Sequence, residues 1–324
     1  ILMNSKKQKK LNVAVIGYGH LGKWHCEKVR TSDDAYLKAI VDPSSLSRSR
    51  AKEVYPETII VSNLEELNGI EIDAAIVVVP TIHHFEVTQH LLEQGIHVFC
   101  EKPLVSRMDH GEALKKMVKE KDVILQVGHS ERFHEAWERK SQISKFLDGR
   151  AIIKFNRKAV SKGRAKDVDV VQDLMIHDLD LLNFLVGEKP SALKAWGLKM
   201  VNDKWDSVTA EFKFPSGKVA FLTSTRNYVE EKRYLSATNE KGCLLIDFLN
   251  HKLKTNEVPG EGSEFVLSEK TYSKRDHLKI EQDLFYSSIV NGAPVAVNVD
   301  DGLKAMGLVE KVLKSLEDQK ELIL

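Results

Sequence analysis

The chain has 324 residues, a length that fits two domains better than one. Apolar residues at 42% and charged residues at 29% argue against disorder, and a net charge of +1 gives no electrostatic ground for a nucleic-acid or membrane-surface partner. The longest apolar run, 74–79, is far short of the roughly 20 residues of a membrane helix, and three scattered cysteines (Cys26, Cys100 and Cys243) argue against a disulfide framework or a zinc knuckle and for a reducing cytoplasm.

The opening ILMNSKKQKK reads as a basic tail with no apolar segment of signal-peptide length. Strands are expected at Leu11–Ile16, 36–41, 58–61, 73–79, 96–100 and 123–127, with helices such as 20–30, 85–94 and 109–120 among them. Continuous Val/Ile runs separated by helices mean parallel strands buried on both faces, the pattern of a doubly wound α/β sheet. Near residue 128 the rhythm changes. One helix is expected over 168–185, followed by alternating strands at 192–200, 206–214, 218–227, 234–238 and 243–248, and helices at 277–291 and 300–317. The segments 214–218 and 239–242 read as hairpin turns, and 257–264 as an exposed loop. The fold expected is a Rossmann-type domain over 1–127 and an α+β domain over 128–324 built on a large, mostly antiparallel open sheet. Helices would cover one sheet face. The other would bury residues such as Val208, Phe212, Val219 and Phe221 in a homodimer or homotetramer.

Gly17-Tyr18-Gly19-His20-Leu21-Gly22 is a G-x-G-x-x-G directly after a strand and opening a helix. Three glycines alone are weak evidence. In this context the first makes a tight turn, the second lets a pyrophosphate approach the backbone, and the third lets helix and strand pack closely. The helix N-terminus offers free N–H groups to that anion. Asp42 ends the second strand, 20 residues after Gly22, where a carboxylate accepts adenosine ribose hydroxyls. The bland alternative is a turn with a capping Asp, and both context and spacing weigh against it. A carboxylate there repels a 2′-phosphate, which favours NAD over NADP, although Ser44, Ser45 and Arg48 follow and could accept one.

Four motifs together carry a resemblance. They are the glycine loop, Val79-Pro80-Thr81-Ile82-His83-His84, Glu101-Lys102-Pro103-Leu104, and Asp173-Leu-Met-Ile-His177-Asp-Leu-Asp180. Over nearly its whole length the chain resembles the glucose–fructose oxidoreductase / inositol dehydrogenase / MocA (Gfo/Idh/MocA) family. Val79 departs from the family's usual Ser or Thr, and Glu135 from its usual Pro. Within the family, 128–133 and 169–180 look most like the nucleotide-sugar branch that includes UDP-N-acetylglucosamine 3-dehydrogenases. The resemblance implies an NAD-dependent dehydrogenase of a sugar or nucleotide sugar. Cofactor contacts would come from residues 17–22, Asp42, Pro80, Thr81, His84, Glu101 and Lys102, with a cis Lys102–Pro103 bond and no metal.

Oxidising a secondary alcohol needs a base near the hydroxyl. His177 suits it because imidazole titrates near neutrality, and Asp173, four residues earlier on the expected helix, could orient it. Lys102, at the end of the fifth strand, could stabilise a developing alkoxide, and the proton could go to either Lys102 or His177. Asp173 and His177 could instead ligate a metal, but no third ligand is apparent. An isolated histidine would more often be a packed core residue; the Glu-Lys-Pro context argues otherwise here. The histidines at 25, 83, 97, 110, 134, 251 and 277 lack such context and are expected to be structural or exposed. Glu131, Arg132, Asn156 and Arg157 are candidate substrate residues. So are Lys162 and Arg164 of a basic loop with Lys166, since a diphosphate needs nearby charge. The alternatives are a dehydrogenase of a free sugar, inositol or other polyol, and a non-catalytic NAD-binding regulator.

Overall fold

The computed structural model describes residues 9–160, 168–201, 203–260 and 262–324. It divides into two compact units, Ile1–Ser130 with Asp276–Leu303, and Glu131–Arg275 with Lys304–Leu324.

The first unit opens with β1 (Leu11–Ile16), α1 (His20–Arg30), β2 (Ala35–Val41), α2 (Ser45–Val54) and β3 (Ile59–Val61). It continues with β4 (Ala74–Val77), α3 (His84–Glu93), β5 (His97–Glu101), α4 (Met108–Lys121) and β6 (Leu125–Gly128). All six strands are parallel in the order β3-β2-β1-β4-β5-β6, so the order reverses between β1 and β4. Ligands gather at such a switch point, outside the carboxyl ends of the strands. Apart from the half-buried edge strand β3, the Val/Ile-rich strands are largely buried, as sheets covered on both faces require.

The expected boundary at 127/128 differs from these units in one instructive way. Residues 276–303 belong with the first unit, although sequence order places them with the second half. Phe285 and Tyr286 of the late helix His277–Asn291 are buried against Cys26, Val29 and Phe99, which completes the α/β core. Nothing in their local pattern names that partner.

In the second unit the chain passes through a short helix, α5 (Lys140–Ser144), to β7 (Ile152–Lys158). A π-helical turn, Val171–Met175, then runs into α6 (Ile176–Val186). After it come β8 (Ala192–Leu198), β9 (Ser207–Lys213), β10 (Val219–Thr225), β11 (Lys232–Asn239), β12 (Gly242–Asp247), β13 (Lys252–Glu257) and β14 (Val266–Thr271). The helix His277–Asn291 is α7, and α8 (Val299–Asp318) precedes a final short strand, β15 (Leu322–Ile323). The nine strands lie in the order β14-β13-β12-β11-β7-β10-β9-β8-β15, antiparallel except for β7 with β10. The Pro- and Gly-bearing turns fall where expected, with Gly217 at φ +84 and Gly242 at φ +129.

Sequence reading omits β7, β13, β14 and the two-residue β15. The β13 segment KLKTNE buries only Leu253 and Thr255, and β14 is an edge strand with no buried residue, so neither carries a strong alternation. Of the loop read at 257–264, Glu257 ends β13 and the other described residues lie between the two strands.

One sheet face packs Ile153, Phe155, Ala210, Phe212, Leu222, Leu235 and Ile246 against α6 and the second half of α8. Val208 and Phe212 belong to this covered face and are buried, whereas Val219 and Phe221 point the other way and are half-buried. The four were expected to share the open face. Register explains the correction, because Phe212 pairs with Ala220, one residue out of step with Val219 and Phe221. The outer face does carry apolar groups, including exposed Ile152, Trp196 and Leu198.

Candidate active site

The glycine loop has a distinct reason for each glycine. Gly17 sits at φ +101, and a Cβ there would lie 2.5 Å from the Val78 carbonyl oxygen. A Cβ on Gly22 would lie 2.0 Å from the Gly17 oxygen. Gly19 has nothing within 4 Å of its missing Cβ, and with Gly17 it lines a cavity of about 540 Å³. So the first and third glycines serve packing, and the second leaves open space at the N-terminus of α1. Among the described residues no side chain caps that terminus, so its N–H groups can receive an anion. Asp42 and Pro43, then Ser62 to Glu65 after β3, and Val78, Val79 and Pro80 after β4 complete most of the wall. These residues fit a dinucleotide: an open anion site, a ribose-facing carboxylate and an apolar remainder.

Asp42 is held firmly. Its carboxylate accepts the N–H of Tyr18 at 2.7 Å and of Ser44 at 2.8 Å, and each oxygen keeps a lone pair for a hydroxyl. Arg48 donates to the carbonyls of Asp42 and Pro43 at 2.9 and 2.7 Å. The Tyr18 side chain is buried against Tyr55 and does not line the cavity; its backbone N–H holds Asp42. His20 and Leu21 are exposed at the start of α1, and Thr81 is half-buried. Residues 62–65 went unnoticed in the sequence because no glycine or charge pattern marks them; their position one loop from the switch point is the signal that could have found them.

At the end of β5, the Lys102–Pro103 peptide is cis and Lys102 is half-buried. Glu101 is turned into the protein. His25 Nε2 lies 2.9 Å from its Oε1, and the Lys102 N–H donates to its Oε2 at 3.1 Å. Gln282 of α7 donates to His25 Nδ1 at 2.9 Å and accepts from the Tyr286 hydroxyl at 3.0 Å. With Nδ1 accepting, Nε2 carries the imidazole proton and donates it to Glu101. Burial works against the Glu101 charge, but His25 and Lys102 outweigh it and hold the carboxyl below the usual range. Glu281, also fully buried on α7, goes the other way: burial and then the Glu101 charge keep it protonated well above the usual range. His25, expected to be structural without a named role, is thus the partner of Glu101.

His84 is 1% exposed and does not line the cavity. Its Nδ1 lies 2.7 Å from the Pro103 carbonyl and its Nε2 2.9 Å from the Val79 carbonyl.

In the second unit, Asp173 lies in the π-helical turn and His177 in the first turn of α6; both are half-buried. The four-residue spacing was expected on one α-helical face, but it falls where the helix changes pitch, a feature common at functional sites. The residues around His177 are tied down by charge. Arg157 donates to Asp178 at 2.8 Å and to Glu131 at 3.0 Å, Arg233 reaches Glu131 at 3.1 Å, and Arg132 forks onto Asp180 at 2.6 and 2.8 Å. Burial opposes ionisation of Glu131, but Arg157 and Arg233 prevail and hold its carboxyl down to about 2. For Asp178 burial wins over Arg157, and its carboxyl is shifted up. Glu131, Arg132 and Arg157, read as substrate residues, therefore spend these hydrogen bonds within the chain. Asn156 faces the outer side of the sheet, opposite Arg157, since adjacent strand residues alternate. Lys162, Arg164 and Lys166 lie outside the described residues.

Among the described residues one group, His134, Glu135 and His251, brings three ligand atoms within 4.8 Å. The Ala136 N–H donates to His134 Nδ1 at 3.1 Å, so Nε2 carries the proton and has no lone pair for a metal. Glu135 pairs with His251 Nδ1 at 2.7 Å. The residue that departs from the family's usual Pro thus anchors a hydrogen bond to His251.

Two family models match the chain, one described as an oxidoreductase family with an NAD-binding Rossmann fold over residues 11–129, the other as a GFO/IDH/MocA C-terminal domain over 150–245. The chain belongs to the Gfo/Idh/MocA oxidoreductase family. It is accordingly a dehydrogenase acting on CH–OH groups. It is 30% identical to UDP-N-acetylglucosamine 3-dehydrogenase of Acidithiobacillus ferrooxidans, over 95% of this chain and 97% of that one. A solved structure of that enzyme superimposes with a TM-score of 0.86, covering 96% of this chain and 99% of the other. Inositol 2-dehydrogenase of Rhizobium meliloti is 24% identical over 95% of this chain and 97% of its own. In this Gfo/Idh/MocA member no helix among the described residues is long and apolar enough to cross a membrane.

Proposed function

We propose that this protein oxidises a ring hydroxyl of a sugar with NAD, and that the substrate is UDP-N-acetylglucosamine, oxidised at its 3-hydroxyl. The observation that carries the reading is the 30% identity to a UDP-N-acetylglucosamine 3-dehydrogenase along 95% of the chain. The first unit holds the cofactor through the glycine loop, Asp42 and the loop after β4. The second unit supplies substrate contacts and self-association. NAD, when bound, accepts the hydride. Lys102 stabilises negative charge developing on the hydroxyl oxygen, His177 takes its proton, and Asp173 orients the imidazole. Lys102 as the proton acceptor is the competing assignment, and pH profiles of the single variants separate the two.

The carboxylate of Asp42 supports NAD over NADP, because it would face a 2′-phosphate. Three free cysteines fit a reducing compartment such as the cytoplasm. The apolar groups on the outer sheet face support a homodimer or homotetramer, and a monomer by light scattering at micromolar concentration would count against it.

A second reading, a dehydrogenase of inositol or another free polyol, draws on the inositol dehydrogenases among the relatives. A non-catalytic regulator would have no use for Lys102, Asp173 and His177 together. Absorbance at 340 nm with nucleotide sugars, free sugars and inositols, each with NAD and NADP, tests all three. Turnover of UDP-N-acetylglucosamine with NAD is expected. Turnover of inositol alone selects the second reading, and no turnover across the panel selects the regulator.

A further inference from the structure

The His84 ring meets a carbonyl oxygen at each nitrogen, Pro103 at 2.7 Å and Val79 at 2.9 Å. A carbonyl only accepts. A neutral imidazole has one N–H, so one of these contacts would set two lone pairs against each other inside hydrogen-bond range. Only the imidazolium, with two donors, satisfies both. The two acceptors belong to different parts of the first unit. Val79 lines the cavity wall after β4, and Pro103 follows Lys102 at the end of β5.

We propose that His84 is a buried imidazolium whose two N–H groups brace the turn carrying Lys102 against the cavity wall at Val79, which makes it a positioning residue for Lys102. The inference rests on Lys102 acting in catalysis as described above.

Several titratable groups flank the ring. Cys100 lies beside it on β5, with Glu101 and Lys102 following. His83 precedes it, and His110 of α4 stacks on the neighbouring Phe85 at 4.0 Å. Burial and the N-terminal end of α3 both disfavour a cation here. Cys100 and the two carbonyls favour it, and the balance pushes the imidazole up to about 9 from its ordinary 6.5. A raised value makes the brace strongest below pH 6.5, and it is lost as pH rises through about 9.

The primary test is NMR of protein labelled with ¹⁵N-histidine. At pH 7 the His84 ring should show two protonated nitrogens and titrate near 9. A single protonated nitrogen at pH 7 overturns the proposal. The second test is His84→Gln, which keeps donors but removes the charge. In folded protein its kcat should fall roughly 10- to 100-fold, as expected when a catalytic group is misplaced by about 1 Å. The limb of the wild-type pH profile that follows His84 should vanish. Unchanged kcat also overturns the proposal, and if the variant does not fold the NMR result decides alone. Lys102→Ala measured alongside keeps the two claims apart. Undiminished kcat there removes the functional reading, whereas an inactive Lys102→Ala beside a fully active His84→Gln removes only the brace.

Discussion

Around the cavity of the first unit the groups that matter are largely backbone: the open N-terminus of α1, the N–H groups of Tyr18 and Ser44 on Asp42, and the carbonyls of Val79 and Pro103 on His84. Around His177 in the second unit they are charged side chains, with Arg157, Arg132 and Arg233 set against Asp178, Asp180 and Glu131. Backbone placed by glycine spacing costs little to bury because it arrives already paired or at a helix end. Buried charges pay for desolvation and repay it only when geometry and partners are complete. The first arrangement should tolerate single changes that spare its packing glycines; the second should not.

The largest expected effect lies in catalysis, where the proposal names Lys102 of the first unit and Asp173 and His177 of the second. Lys102→Ala should lower kcat by roughly 10²–10³-fold, and His177→Ala by roughly 10²–10⁴-fold if the imidazole is the base. Asp173→Ala should cost less. NAD affinity should survive all three, as measured by cofactor titration. Wild-type kcat in both Lys102→Ala and His177→Ala would remove the mechanism.

Next is Arg157→Met. It takes the guanidinium away from Asp178 and leaves Glu131 with Arg233 as its one guanidinium among the described residues, and breaking such a buried set costs about 3–5 kcal/mol. Denaturant unfolding should show that loss. A loss under about 1 kcal/mol would mean that water reaches these charges and would erase the contrast between the units.

The contrast also has a pH signature. Glu131 is lowered from an ordinary 4.5 to about 2. A depressed carboxyl contributes stability that is present above pH 4.5 and is lost as pH falls through about 2, at most about 3 kcal/mol here. Asp178, shifted up, offsets part of it. Unfolding midpoints between pH 7 and 2.5 should fall more steeply for the wild type than for Glu131→Gln. Parallel curves would refute the assignment.

These differences track what a sequence can display. The places of Gly17 and Gly22 were legible because each is a steric requirement at a fixed spacing. Lys102, Asp173 and His177 stood out because their motifs are compact. The partnership of Arg157 with Asp178, 21 residues apart, and of His25 with Gln282, 257 residues apart, had no local mark. The counterions of buried charged residues become visible only in the fold. The same holds for His84: its motif was visible, but the two carbonyls that use its nitrogens come from backbone 5 residues before it and 19 after.

A smaller effect is expected at Gly19. A methyl group there meets no protein atom within 4 Å, so Gly19→Ala should leave thermal stability unchanged. It would intrude where a pyrophosphate approaches, and overpacking by one methyl costs about 1–3 kcal/mol. NAD affinity should therefore fall roughly fivefold to a hundredfold. Gly22→Ala, with its Cβ 2.0 Å from the Gly17 oxygen, should instead fail in folding. Unaltered NAD affinity in Gly19→Ala would place the cofactor elsewhere.

The smallest effect, and the finest test of backbone control, is at Asp42. Asp42→Ala removes the acceptor for the Tyr18 and Ser44 N–H groups and the charge that a 2′-phosphate would meet. Ser44 is exposed and can turn to water, so the structural cost should be confined to the buried Tyr18 N–H. Arg48 donates to backbone carbonyls rather than to the carboxylate, so it keeps its place in the variant. One charge removed near the solvent is worth about 1 kcal/mol at contact range, which narrows the NAD/NADP gap roughly fivefold. NAD itself should bind more weakly, because the ribose hydroxyls lose their acceptor. NADP should bind as well or better, with Arg48 still beside the site. Dissociation constants for both cofactors in both proteins measure this directly. Equal affinity for NAD and NADP in the unmutated protein would show that Asp42 does no more than hold the glycine loop.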